Sequence, residues 1–161
     1  METVNRLTRH VPVVGLLVVM FCGAGTGVVN AECLVTVRSP AQGATVDWEV
    51  LVEGTAKLPA GSFLWVFIGP RGQNDWWPQG GGPAELNPDG AWEVLARLGD
   101  RQEDAGKSYA IVPVVVDRTT HGLLQTYIRR GRDTGQWPSF SALPGVVGGC
   151  PLVKVNVRRA Q

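Results

Sequence analysis

At 161 residues, with 15 Lys and Arg against 14 Asp and Glu, the chain has room for one domain beside a leader and is close to electrically neutral. That balance argues against nucleic acid or an anionic membrane as the main partner, since both interactions draw on a basic surplus. Beyond the leader the only histidine is His121, which leaves nothing with which to build a histidine zinc site or an acid–base pair of histidines.

Residues 1–31 read as a signal peptide. Arg6 and Arg9 make a basic start, Val11 to Val29 carries no charge, and Val29-Asn30-Ala31 offers small or modest residues at a cleavage site. Cleavage there makes 32–161 the mature chain and its compartment secreted or periplasmic. Retention of the segment as a membrane anchor is the alternative, disfavoured by Pro12 and the run of Gly23, Gly25 and Gly27. Phe21 and Glu32, standing before Cys22 and Cys33, argue against a lipoprotein signal. With the leader go Arg6, Arg9 and Glu2, so the mature charges balance at thirteen each. The mature chain also keeps two cysteines, Cys33 and Cys150, one at each end, and in an oxidising compartment these predict a disulfide.

Alternation at period two then predicts an all-β domain over 32–161. Leu34 to Arg38 reads as a first strand. Val46 to Glu53 reads as a second, with Val46, Trp48, Val50 and Val52 inward. Phe63 to Ile68 is apolar on both faces, as in a strand covered on each side. Ala84 to Asn87 reads as a short additional strand, and Trp92 to Leu98 alternates after the turn Asn87-Pro88-Asp89-Gly90. Tyr109 to Val116 is a further buried run, with Pro113 demanding a bulge or an edge. Leu123, Leu124, Tyr127 and Ile128 then recur at helical spacing, predicting a short helix over 120–130. Thr119 or Thr120 would cap its start and Gly131 its end, and its apolar stripe would cover one end of the sandwich. Gly145 to Gly149 reads as loop, and Leu152 to Arg158 as the last strand.

Ser39-Pro40-Ala41-Gln42-Gly43-Ala44-Thr45-Val46 followed by Val52-Glu53-Gly54-Thr55-Ala56 resembles the opening of bacterial extracellular immunoglobulin-like and fibronectin-type-III-like modules. Asp89-Gly90-Ala91-Trp92, Gly106-Lys107-Ser108-Tyr109 and the closing Val153-x-Val155-x-Val157-x-Arg159 are similar to later strands of such domains. The resemblance implies an immunoglobulin-like β-sandwich of about seven strands with one short helix before the last. It also implies adhesion, spacing or binding at the cell envelope rather than chemistry, without a cofactor. Cysteines at the chain ends depart from the inter-sheet pair of antibody domains.

The candidate contact residues are aromatic. Trp76, Trp77 and Gln79 precede three glycines in a long connection, and Trp137 stands before Pro138. Indole faces stack on sugars and anchor interfaces, so these residues suggest a protein or glycan partner, or a carbohydrate-binding module. A Trp-Pro segment folded back over a sheet edge is the competing reading, and it is the favoured one. Trp48, Trp65 and Trp92 read as core. His121 reads as a surface residue, Asp100, Glu103 and Asp104 as a polar loop, and Arg129, Arg130 and Arg132 as a solvated face.

Overall fold

The structure, a computed structural model, describes residues 32–161; the signal-peptide reading falls on residues outside that range. In chain order the elements are β1 (Leu34–Ser39), β2 (Thr45–Val46), β3 (Glu49–Lys57), β4 (Phe63–Pro70), β5 (Trp77–Pro78), β6 (Ala91–Arg97), β7 (Ser108–Val116), α1 (Arg118–Thr134) and β8 (Val155–Arg159). They form two sheets, one of three strands ordered β1-β3-β6 and one of five ordered β2-β8-β7-β4-β5. The fold is therefore predominantly β, with one helix.

Alternation builds two cores, one on each face of the five-stranded sheet. Leu64, Val66 and Ile68 of β4, with Tyr109, Ile111 and Val115 of β7, face the three-stranded sheet and meet Val52, Trp92 and Val94. Trp65 and Phe67, with Ala110, Val112, Val114 and Val116, point the other way and meet Leu124 and Ile128 of α1. Strands with no polar face need cover on both sides, and the second sheet and the helix supply it. The helix thus lies across the outer face of the five-stranded sheet, not over an end of the sandwich. Gly54 sits beneath Trp92, where an added Cβ would stand 2.6 Å from the indole ring. The Trp92 indole nitrogen is buried without a hydrogen-bond partner.

The expected second strand is two elements. The chain leaves the larger sheet after β2, which runs parallel to β8, and joins the smaller sheet as β3. Trp48 lies at this crossing and belongs to neither core. Its indole N–H donates to the Gly99 carbonyl at 3.0 Å, and its ring sits 5.5 Å from the Arg97 guanidinium and 5.3 Å from that of Arg101. Ala84 to Asn87 forms no strand; only a single bridge joins Leu86 to Trp92. The last strand starts at Val155 rather than Leu152.

Pro113 pairs with Val66 in an unbroken register, so there is no bulge. β8 covers β7 only from Ser108 to Ile111. The carbonyls of Lys107 and Val115 accept from Arg159 and Val147, each at 2.9 Å, so odd-numbered positions turn their backbone toward that side. Pro113 shares their phase and lies past the end of β8, where a missing N–H costs no ladder bond.

The helix spans 17 residues and exceeds the expected 120–130 at both ends. Asp117, not a threonine, is the N-cap, its carboxylate accepting from the Thr120 N–H at 2.7 Å. Gly135, at φ 71°, forms the left-handed C-cap in place of Gly131. Leu123 is 68% exposed and lies off the buried stripe, which consists of Leu124, Ile128 and Gly131 with Tyr127 at its margin. Cys33 and Cys150 form the predicted disulfide across 117 residues, tying β1 to the segment before β8.

Candidate functional site

The four aromatic-loop candidates separate by the same alternation that builds the sheets. Trp76 and Trp77 are neighbours at the β5 edge, so their rings go to opposite faces. Trp76 is buried in the outer core over Gly69, whose added Cβ would stand 2.9 Å from its ring, and Lys154 lies 5.7 Å from the ring centre. Trp77 faces the inner core and is half-buried. Two adjacent tryptophans share one segment without either being fully exposed.

After the helix the chain returns along β5 and stitches its free edge. Trp76 and Phe140 exchange two backbone hydrogen bonds of 2.9 Å, and the Trp77 indole donates to the Trp137 carbonyl at 2.9 Å. Tyr127 donates its hydroxyl to the Pro138 carbonyl at 3.0 Å, and Ser139 donates to the Asp75 carboxylate at 2.7 Å. The Trp-Pro segment is thus a latch over the sheet edge. Trp137 itself remains 44% exposed, edge-on to Tyr127 at 5.8 Å and resting on Gly131. A Cβ on Gly131 would stand 2.3 Å from the Trp137 ring, which is why the last helical turn carries glycine there. The sequence signal for this contact is slight, since Gly131 also suits a helix end.

Gln79 clasps the two sheets: its N–H donates to the Val66 carbonyl at 2.8 Å and its side-chain oxygen accepts from the Arg97 N–H at 2.8 Å. Between this clasp, the latch and the C-terminal turns of α1 opens a groove of about 780 Å³. Trp77, Gln79 and Trp137 line it, joined by Tyr127, Arg97 and Arg132; Trp76 does not. Aromatic faces with a few polar groups are the usual lining of a small-molecule or glycan cleft.

The charged groups at the far end of the groove are committed to the fold. The Asp100 carboxylate accepts from the backbone N–H groups of Gln102 and Glu103 at 2.8 and 3.0 Å, which hold it below the ordinary carboxylate range. Lys107, then the Asp100 N–H, do the same for Asp104. Tyr109 faces that carboxylate, and burial together with Asp104 pushes its phenol well above the ordinary value. Arg159 is 5% exposed, its guanidinium donating to the carbonyls of Leu98, Asp100 and Arg101. Its position continues the phase of Val153, Val155 and Val157, and that phase is the sequence signal of an inward arginine.

His121 is half-buried rather than freely exposed. Its ring stacks on Phe63 with centres 3.7 Å apart, and its Nδ1 accepts from the buried Trp65 indole at 3.3 Å. Burial, then Arg118, lowers its pKa. Among the described residues, no three of His, Cys, Asp or Glu gather as a metal site would require. The chain matches no family model, no curated protein and no solved structure.

Proposed function

We propose that this chain is an exported, non-catalytic binding or scaffolding module of the cell envelope, with the groove beside the latch as its contact surface. The observation carrying the reading is that Trp77, Trp137 and Tyr127 line one groove on a rigid two-sheet frame. The Cys33–Cys150 disulfide supports an oxidising compartment and so agrees with a signal peptide over 1–31. An immunoglobulin-like sandwich over 32–161 is supported by strand order. The pair β1-β3 carries β6 on one side, while β2 switches sheets to run parallel to the last strand, as the first strand of many such sandwiches does. The helix between β7 and β8 is an addition to that plan.

A protein or a glycan is the partner this surface suits. The half-exposed Trp137 beside Trp77 favours the glycan, since stacking on a sugar needs an open indole face. Trp137→Ala tests the reading without touching either core. With an envelope extract and a panel of neutral and carboxylated oligosaccharides, the natural protein is expected to capture a partner or shift its tryptophan fluorescence, and the variant to lose at least tenfold in affinity. Equal behaviour of the two proteins would remove the groove as contact surface.

A further inference from the structure

Arg132 donates to the Gly81 carbonyl at 3.0 Å, and on the other side of that bridge lies a second hollow of about 410 Å³. Gln125, Arg129, Arg132 and Asp133 of α1 line it opposite Gly81 and Gly82. Arg132, Gly81 and Ile128 line both spaces, so the two lie side by side along the C-terminal half of the helix and share the Arg132–Gly81 bridge.

The charges lining the two spaces differ in whether the fold has already used them. Arg97 is held by Glu49 at 2.8 Å. Asp100 and Asp104 are occupied by backbone N–H groups and Lys107. Among the described residues, Arg129 and Arg132 form no ion pair. Within the described residues Arg129 reaches only the Thr126 hydroxyl at 3.3 Å, and Arg132 only the Gly81 carbonyl. Each guanidinium has five N–H donors, so most remain available in a fork that matches a carboxylate. Asp133, on the same hollow, offsets one of the two cations and leaves a surplus of one positive charge.

From this arrangement we infer that the groove takes an acidic oligosaccharide, a sugar ring stacking on Trp137 and Trp77 while a neighbouring carboxylate is bound by Arg132 and Arg129. The inference rests on the glycan reading above and adds the charge of the ligand. Two juxtaposed features carry it: the partly exposed Trp137 beside Trp77 in the groove, and uncommitted arginines in the groove wall and in the hollow that shares it.

Hexamers of galacturonate and of mannuronate, each beside its methyl ester, separate charge from ring shape. Titrated against the oxidised protein and followed by tryptophan fluorescence, an acid form is expected to bind about tenfold or more tightly than its ester, the size of one charge-assisted pair. Arg132→Gln should remove the preference for the acid form over its ester. Arg129→Gln, which touches no loop contact, should reduce the same preference, so that a disturbed Gly81 loop cannot explain the result. Acid and ester bound equally, a preference surviving both substitutions, or neutral oligosaccharides bound while the acids are not would each overturn the acidic ligand and leave the groove reading standing. No response to any oligosaccharide, neutral or acidic, would overturn both.

Discussion

Replacing Arg159 by Met would leave the carbonyls of Leu98, Asp100 and Arg101 without their donor at the end of the inner core. A loss of about 1–3 kcal/mol is expected in urea unfolding, since the buried Leu98 carbonyl would go unpaired while those of Asp100 and Arg101 stay within reach of water. Lys would restore the charge but not the planar fork. His121 makes a second residue-scale case, through pH. Its Nδ1 can accept from Trp65 only when unprotonated, and its pKa lies below the ordinary 6.5. A depressed histidine contributes stability that is complete above pH 6.5 and is lost as pH falls through the folded value. Stability is therefore expected to decline as pH falls below 6.5, ahead of the lower window in which Asp100, Asp104 and Asp117 protonate. His121→Gln should flatten that first decline; an unchanged slope would mean the Trp65 contact is not what the proton breaks. The period-two phase makes Arg159 legible, whereas nothing in the sequence brings Phe63 and Trp65 to His121, because that contact joins two elements through tertiary packing.

At the scale of elements, Asp117→Ala removes the N-cap of α1 and is expected to cost about 1 kcal/mol in thermal or denaturant unfolding. Pro113→Val tests the local edge in β7. With the nitrogen facing no ladder partner, the change should stay within about 1 kcal/mol, while a large effect would place a hidden partner beside Pro113. These two positions also mark where sequence reading succeeds and where it stops. Pro113 within an apolar run signals a missing ladder partner, yet β7 lies between β8 and β4, so the gap past the end of β8 stands in place of the expected bulge or edge strand. The crossing at Asp47-Trp48 is silent, because Val46, Trp48, Val50 and Val52 keep strict alternation while the chain changes sheets. The helix stripe is legible from Leu124, Tyr127 and Ile128, yet the ends are not. Thr119, Thr120 and Gly131 are plausible caps by type, and only the extended backbone at Asp117 and the left-handed backbone at Gly135 decide between them.

The whole molecule is held by two cores sharing one sheet and by a disulfide joining its two ends. Replacing both Cys33 and Cys150 by Ser should cost roughly 2–4 kcal/mol, because the reduced unfolded chain regains the freedom of a long loop. Both the predominantly β character and this pairing are legible in the sequence, since alternation and two terminal cysteines are local facts. The groove is not, because Trp77, Gln79, Arg97, Arg132 and Trp137 converge only once the helix lies on the outer face and the following segment closes the β5 edge. Its role is tested most directly by the six indole N–H signals in a proton–nitrogen spectrum, recorded while neutral and carboxylated oligosaccharides are added. The signals of Trp77 and Trp137 are expected to move together while those of Trp65 and Trp92 stay fixed. Movement of Trp48 alone, or stillness of all six across the panel, would contradict the account.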